Sequence, residues 1–438
     1  MTEGVSHKDG IPTAAAVLHP YFRSKADTRR LPESSLAEAV GLAEAIGLDV
    51  RLREVITMGG PRPATLLGSG KVADLKPTFK ERDIEIVIVD AALTPGQQRN
   101  LERDWDCKVI DRTGLILEIF GARARTREGT LQVELAALNY QKSRLVRSWT
   151  HLERQRGGFG FMGGPGERQI EADRRMISDR IIRLEKELRG VSRTRTLHRE
   201  SRRKVPFPTV AFVGYTNAGK STLFNRLTSA SVLAQDMLFA TLDPTMRGLT
   251  LATGERIILS DTVGFISNLP HDLVAAFAAT LEEVRDADMI LHVRDMAHPD
   301  HDHQKSDVLG ILEDIGLRAG TPVIEIQNKI DLLPAEENER LGALASGTNE
   351  VVTVSAATGE GCSRLLEVIA WHLRKARETC TFTVPSQDGA AIAWLHEHGD
   401  VTEKHEDNGM TTICVALYPA DARRFERRLA EDRLIAAD

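Results

Sequence analysis

The stretch TVAFVGYTNAGKSTLFNRL, residues 209–227, constrains the fold of this 438-residue chain more than any other feature. An apolar strand pattern leads into a short loop, and a helical pattern follows. The loop matches G-x4-G-K-S at Gly214, Gly219, Lys220 and Ser221. Its glycines let backbone N–H groups converge on phosphate oxygens, and the start of the next helix adds partial positive charge. The stretch therefore predicts an α/β domain built around a phosphate-binding loop, the P-loop.

This pattern assigns a role to each polar residue of the P-loop. Lys220 is expected to reach the β- and γ-phosphates of a nucleotide, and the Ser221 hydroxyl to ligate Mg²⁺. The predicted phosphate contacts are the loop and the first residues of its helix, Gly214, Tyr215, Thr216, Asn217, Ala218, Gly219, Lys220, Ser221 and Thr222.

A second motif, DTVG, follows the apolar strand ERIILS and covers Asp261, Thr262, Val263 and Gly264. The Asp261 carboxylate is suited to hold Mg²⁺, directly or through a water, and the Gly264 N–H can bond a γ-phosphate. Many nucleotide switches carry a glutamine after this glycine, where it orients the attacking water. Phe265 stands there instead and can neither donate nor accept a hydrogen bond, so slow intrinsic hydrolysis is expected.

Two further motifs indicate the base. Asn328, Lys329, Ile330 and Asp331 follow the strand TPVIEIQ. A carboxylate at this point accepts hydrogen bonds from N1–H and the exocyclic amine of guanine, and adenine has no matching donors. After the strand EVVTV, the tripeptide Ser355, Ala356 and Ala357 is placed to offer backbone N–H groups to O6. These motifs, in this order after a P-loop, predict selection of guanine.

A threonine that ligates Mg²⁺ is also expected between the P-loop and DTVG. The stretch FATLDPTMR, residues 239–247, offers Thr241 and Thr245. The spacing of the sequence does not choose between them.

The residues before the P-loop domain alternate between strand and helix patterns. Short strands are predicted at 14–18, 49–56 and 84–90, and a helix at 34–46. This alternation indicates a small α/β domain with parallel strands. GSGK at 68–71 suggests a second P-loop, but the required first glycine is Thr65, so we interpret GSGK as the start of a helix.

From about residue 126 the apolar residues recur at helical spacing, in two runs that predict an antiparallel helical hairpin. The runs are Leu131, Leu135, Leu138 and Leu145, then Ile177, Ile181, Leu184, Leu188 and Val191. Between them lies the glycine-rich, basic loop RQRGGFGFMGGPGER at 154–168. Long loops of this kind are functional or serve as plain connectors, and both interpretations stay open.

Charge is distributed unevenly along the chain. Residues 112–204 hold 22 Lys/Arg and 11 Asp/Glu, a net +11, which leaves −17 for the rest of a chain whose total is −6. Such a block predicts a polyanionic partner or, equally well, a solvated helical face. The four scattered cysteines fit a reducing cytosol and indicate neither a disulfide framework nor a zinc site. No apolar run reaches the ~18–20 residues that span a bilayer, and no signal-peptide pattern is present, so a cytoplasmic protein is expected.

GYTNAGKSTLFN, FATLDPT, DTVGFI and NKID, with ELAALNYQKSRL and GGPGERQIEADRR upstream, resemble the HflX family of ribosome-associated GTPases. The resemblance implies a multidomain α/β fold in four parts. These are an N-terminal α/β subdomain (1–125), a helical hairpin with glycine-rich loop and linker (126–204), a GTPase domain with a mostly parallel sheet (205–378) and a small α+β domain (379–438).

The resemblance also implies residue roles and partners. It makes Thr241 the threonine that ligates Mg²⁺, and Phe265 the apolar residue expected in place of glutamine. It also extends the nucleotide contacts to Phe239, Ala240, Thr241, Leu242 and Asp243. Lys220, Thr241 and Gly264 are the expected catalytic set. Arg154, Arg156 and Arg168 are the expected rRNA contacts of the hairpin loop, within the basic block.

Three functions remain open at this point. The leading hypothesis is a GTPase, monomeric when free, that binds the 50S ribosomal subunit and, with GTP, dissociates stalled or idle 70S ribosomes. The alternatives are a GTPase of large-subunit assembly and an RNA-remodelling factor that uses ATP through its N-terminal region. The incomplete GSGK pattern argues against the last of these.

Overall fold

A computed structural model describes residues 12–22, 30–155, 165–202, 207–228, 239, 245–267, 278–318 and 320–435. Within these ranges the chain forms three separate β-sheets and a pair of long helices. The combination is a multidomain α/β fold, and the predicted fold class is confirmed.

The first sheet is parallel throughout and has the strand order β2-β1-β3-β4. Its strands are β1 (Ala14–Phe22), β2 (Asp49–Met58), β3 (Ile86–Val89) and β4 (Lys108–Asp111). The helices are α1 (Pro32–Glu44), α2 (Ser69–Glu81), α3 (Pro95–Trp105) and α4 (Arg112–Arg123). The sequence did not predict β4, because its residues, KVID, include only two apolar positions. GSGK begins α2 with Gly68 as its N-cap, which confirms the interpretation of this motif.

The hairpin consists of α5 (Arg127–Gln155) and α6 (Pro165–Arg202). Ile181 and Leu184 of the predicted apolar run are buried, and Arg180 pairs with Glu134 across the two helices at 2.8 Å. The helices extend further than the sequence predicted. The expected loop spans 154–168, whereas α5 continues to Gln155 and α6 already begins at Pro165. Pro165 suits the first position of a helix, where no backbone donor is needed.

The second sheet has the order β10-β9-β8-β5-β7-β6 and is parallel except for the β6–β7 hairpin. Its strands are β5 (Thr209–Gly214), β6 (Thr245–Thr250), β7 (Arg256–Asp261), β8 (Met289–Asp295), β9 (Val323–Asn328) and β10 (Val351–Thr353). The helices are α7 (Lys220–Thr228), α8 (Ala278–Arg285), α9 (His301–Ile315), α10 (Ala335–Ser346) and α11 (Cys362–Lys375). Strands β5, β7 and β9 end at one edge of this sheet, where the P-loop, DTVG and the residues after Asn328 come together.

The third sheet is antiparallel, in the order β11-β13-β12. It comprises β11 (Glu378–Pro385), α12 (Gly389–His398), β12 (Asp400–Asp407), β13 (Met410–Leu417) and α13 (Pro419–Ile435). The residues of β12 are almost all exposed and polar, so this strand shows no apolar alternation in the sequence. Among the described residues, no helix is both long and apolar enough to cross a membrane.

Candidate functional site

Two P-loop glycines sit where no other residue fits. Gly214 has φ +153° and Gly219 has φ +92°. A Cβ added at Gly214 would lie 2.2 Å from the carbonyl oxygen of Val293, and one at Gly219 would lie 2.2 Å from Asn328 Nδ2. Both the left-handed backbone and the close approach of a neighbour therefore require glycine. The spacing that identified the loop in the sequence has a steric cause.

Lys220 begins α7 and turns its side chain back into the loop. Its Nζ donates to the carbonyl oxygens of Gly214 at 3.1 Å and Tyr215 at 2.8 Å. The residue is only 6% exposed, and burial lowers the pKa of Lys220 to about 8, although the nearby Asp261 opposes the shift. A buried ammonium whose hydrogen bonds within the described residues go to carbonyl oxygens gains strongly from an anion. The loop is thus built to receive a phosphate group.

The predicted metal ligands lie next to each other. Ser221 Oγ donates to Asp261 Oδ2 at 2.7 Å, and Asp261 is fully buried at the end of β7. A hydroxyl and a carboxylate are the hard oxygen ligands that Mg²⁺ takes, usually together with substrate phosphates and waters. These two residues therefore fit the ion. Thr241, the third predicted ligand, lies outside the described residues, while Thr245 pairs with Asp261 across β6 and β7.

The residues after Asp261 lie directly on the P-loop. The Phe265 N–H donates to the Gly214 carbonyl at 3.1 Å, and the Thr216 N–H donates to the Phe265 carbonyl at 2.7 Å. A Cβ on Gly264 would lie 2.8 Å from Thr216 Cα and 3.0 Å from Lys220 Nζ. Only glycine permits this approach, which places the Gly264 backbone beside the ammonium that a phosphate would contact.

Phe265 packs into the protein core. Its side chain is 3% exposed and belongs to a buried apolar cluster with Val263 and Ile266. Phe120 of α4 and Phe239 are in the same cluster, where their rings meet edge to face with centroids 4.9 Å apart. The Phe239 ring is therefore a core side chain, 2% exposed, which the expected nucleotide contacts had not anticipated.

A buried polar cluster joins the P-loop to the first domain. The Tyr215 hydroxyl accepts from the Ser267 N–H at 2.7 Å and donates to the Glu38 carboxylate. Arg112 donates to the Ser267 carbonyl at 3.0 Å and also pairs with Glu38 and, at 2.5 Å, with Asp90. We call Glu38, Asp90, Arg112, Tyr215 and Ser267 the interdomain polar cluster.

Charge balance keeps the interdomain polar cluster ionised. Burial opposes the charge on Glu38, but Arg112 and Arg30 outweigh it and lower the pKa of that carboxyl. Burial and Glu38 together raise the pKa of the Tyr215 phenol, so it stays a neutral donor. The sequence offered no signal for this cluster, because Tyr215 occupies a variable position of the P-loop pattern and its partners come from distant helices.

The predicted base-recognition residues lie at the same edge of the sheet. Asn328 Nδ2 donates to the P-loop carbonyl of Ala218 at 2.8 Å, and Asn328 Oδ1 accepts from the Ala356 N–H at 2.9 Å. Lys329 has φ +64° and its Nζ lies 2.7 Å from Asp295 Oδ2. The Asp331 side chain is exposed at the surface, in a short 3₁₀ turn. The edge thus presents an exposed carboxylate. Of the three predicted O6 donors, the Ser355 N–H donates to the Glu360 carbonyl at 3.0 Å and the Ala356 N–H to Asn328, which leaves the Ala357 N–H for a base.

The structure brings together four of the five predicted stretches. These are 214–222, 261–264, 328–331 and 355–357. Residues Ala240, Thr241, Leu242 and Asp243 lie outside the described part of the chain, as does Arg156. Arg154 and Arg168 belong to α5 and α6, in the parts of these helices that flank the glycine-rich loop in the sequence.

Known protein families match most of this chain. Four family models match it in sequence order. They are GTP-binding GTPase N-terminal over residues 33–121, GTP-binding GTPase Middle Region over 123–202, 50S ribosome-binding GTPase over 209–329 and HflX C-terminal domain over 341–437. GTPase HflX of Magnetococcus marinus is 52% identical over 402 residues, 91% of each chain.

The chain belongs to the GTPase HflX family.

A second relative agrees with this assignment. GTPase HflX of Escherichia coli is 43% identical over 413 residues, which cover 94% of this chain and 95% of that one. A solved GTP-binding protein of Sulfolobus solfataricus, in complex with GDP, shares 24% identity at a TM-score of 0.44 over 82% of this chain and 98% of that one. Family membership makes this chain a GTPase, and the resemblance seen in its motifs is confirmed.

Proposed function

We propose that this GTPase binds the large ribosomal subunit and, in its GTP-bound state, separates the subunits of stalled or idle 70S ribosomes. One observation carries the nucleotide part: the P-loop, DTVG and the residues after Asn328 meet at one edge of a parallel sheet. The match of residues 209–329 to a model described as 50S ribosome-binding GTPase supports the choice of partner.

In this proposal each group at the sheet edge has one role toward GTP. Lys220 and the N–H groups of the P-loop hold the phosphates, and Ser221, Asp261 and Thr241 hold Mg²⁺. That ion, when bound, neutralises charge on the phosphates during hydrolysis. Gly264 offers its N–H to the γ-phosphate. Asp331 accepts from the guanine amine and N1–H, a pair of donors that adenine lacks.

Hydrolysis by the free protein is expected to be slow because Phe265 is committed to the apolar core. The phosphates are still held, so the deficit is one of water positioning. We infer that the ribosome makes up this deficit, by ordering the stretch around Thr241 and Gly264 or by supplying a group of its own. A group supplied in trans is worth ~10³–10⁵ in rate in related switches.

The basic block supports contact with rRNA. Residues 112–204 carry a net +11 and include the whole hairpin, whose α6 exposes Arg174, Arg175 and Arg183. We propose Arg154, Arg156 and Arg168 as phosphate contacts near the hairpin end. The four parts 1–125, 126–204, 205–378 and 379–438 remain our proposed domains. Such a protein would act in the cytoplasm, as a monomer when not on the ribosome.

Ribosome sedimentation tests this proposal. Purified 70S ribosomes are mixed with the protein and GDP, a non-hydrolysable GTP analogue or the matching ATP analogue, then separated on a sucrose gradient. We expect conversion to 30S and 50S particles with the GTP analogue alone, and none with the Lys220→Ala variant. Binding only to immature large subunits would favour an assembly role. Splitting with the ATP analogue would contradict the guanine assignment.

A further inference from the structure

We propose that Arg226 is a positioning residue for guanine recognition, which holds the loop 355–360 so that the Ala357 N–H faces O6 of the base. This inference rests on the proposed function, since it takes the edge around Asn328 and Ala356 as the guanine site. Arg226 lies in α7, the helix that starts at Lys220. No nucleotide-binding motif of the sequence includes it.

The guanidinium of Arg226 holds two successive carbonyl groups of this loop. Its Nε donates to the Ala356 oxygen at 2.7 Å, and its Nη2 donates to the Ala357 oxygen. A planar guanidinium can hold two acceptors in fixed directions, whereas an ammonium acts as a point charge. Gly359 leaves space for it, because a Cβ there would lie 3.0 Å from Arg226 Nη1. The loop is therefore shaped to accept this arginine.

These contacts decide where the Ala357 N–H points. All peptide bonds of the described chain are trans, so the C=O and N–H of each planar unit point in opposite directions. Since the Ala356 carbonyl is directed at Arg226, the Ala357 N–H is directed away from it. No protein acceptor for that N–H is present among the described residues. The Ala356 N–H faces Asn328 Oδ1 at 2.9 Å. Ala356 is thus held by Asn328 on one side and Arg226 on the other.

The helix that carries Arg226 also carries the phosphate site. Lys220 and Ser221 lie in the first turn of α7 and Arg226 near its end. The Ala218 carbonyl of the P-loop accepts from Asn328 Nδ2 at 2.8 Å. This hydrogen bond is a second connection between the base site and the P-loop, besides helix α7. A nucleotide spans both sites, so the spacing between them affects its affinity. Arg226 is exposed on its outer side, so its removal leaves no buried cavity.

The experiment combines substitutions of Arg226 with nucleotides whose bases differ from guanine at single positions. Dissociation constants are measured for GDP, 6-thio-GDP, IDP and ADP with the wild type, Arg226→Met and Arg226→Lys. Sulfur is a weak acceptor, so 6-thio-GDP reports the contact to O6. IDP lacks the exocyclic amine and reports Asp331. Arg364→Met is the matched control, because this exposed arginine of α11 bonds Asn349 at 2.7 Å and Glu367 at 3.1 Å, outside the loop.

We expect Arg226→Met to weaken GDP binding by about tenfold, the worth of one or two lost hydrogen bonds. The preference for GDP over 6-thio-GDP should fall by about threefold or more, while the preference for GDP over IDP is unchanged. The GDP affinity of Arg226→Lys should lie between those of the wild type and Arg226→Met, and that of Arg364→Met should equal the wild-type value.

Two results would overturn the inference. One is an equal loss for GDP, 6-thio-GDP and IDP in Arg226→Met, which would mean a purely structural contact. The other is unchanged binding of all three. A different failure, a wild type that does not prefer GDP over ADP, would refute the proposed guanine site itself. Thermal unfolding of each variant without nucleotide separates loss of folding from loss of recognition.

Discussion

Replacing Phe265 by glutamine puts the usual water-orienting residue into this P-loop GTPase, and the structure predicts that it does not restore hydrolysis. The Phe265 side chain is 3% exposed in an apolar cluster. Losing a buried aromatic side chain costs ~2–3 kcal/mol of transfer free energy. Burying an amide without a partner costs a further ~1–3 kcal/mol. The glutamine form of the native arrangement is thus less stable by about 3–6 kcal/mol.

This destabilisation falls on the contact between residue 265 and the P-loop. The backbone pair formed by Phe265 with Gly214 and Thr216 depends on the anchored side chain. We expect the amide of Thr216 to exchange with solvent on the order of a hundredfold faster or more in Phe265→Gln, because local opening becomes easier by that free energy. Phe265→Leu is the matched control: it keeps the site apolar, costs about 1 kcal/mol and cannot orient water either.

The assay is multiple-turnover GTP hydrolysis by the wild type and both variants, each with and without 70S ribosomes. Ribosomes should raise the wild-type rate at least about tenfold, or ~1.4 kcal/mol of barrier. Phe265→Gln should stay slow alone and respond less to ribosomes than Phe265→Leu. A fast, ribosome-independent Phe265→Gln enzyme would refute the argument, since it would show that only the glutamine was missing. A fast wild type that ignores ribosomes would show that water is oriented from within the chain.

Three other expectations follow from the site. Asp331→Asn loses an acceptor for the guanine amine, so discrimination should shift toward xanthine nucleotides. Dissociation constants for GDP and XDP measure this shift, and an unchanged preference for GDP would exclude this role of Asp331. Burial lowers the pKa of Lys220 to about 8, so a bound phosphate that restores its charge takes up a proton above that pH. GDP affinity should therefore fall as pH rises through about 8. Calorimetry in buffers of different ionisation enthalpy should show that binding takes up a proton. A GDP affinity that stays constant up to pH 9 would contradict this expectation. Tyr215→Phe leaves the buried Ser267 N–H without its acceptor, at a cost of ~1–3 kcal/mol, and should speed hydrogen exchange of that amide. Tyr418→Phe, which removes a half-buried hydroxyl that donates to Glu255, should leave this exchange rate unchanged.

The amino-acid sequence alone determined the nucleotide-binding edge, because its groups lie on short consecutive stretches. A P-loop needs glycine at Gly214 and Gly219 for local steric reasons, and both are visible as a spacing. DTVG and the Asn328 motif each follow an apolar strand, and parallel strands end at a common edge, so their meeting could be foreseen. Strand β12 could not, because its exposed polar residues carry no apolar period.

Only the tertiary structure decided how these motifs are held. Tyr215 reaches Glu38 across 177 positions of sequence, and Arg226 reaches Ala356 across 130. Partners this far apart leave no periodicity in either segment, since each residue suits its own helix or loop equally well without the other. The direction of Phe265 was decided in the same way: the sequence showed an apolar residue after DTVG, and the packing of two domains around it determined that it faces the core.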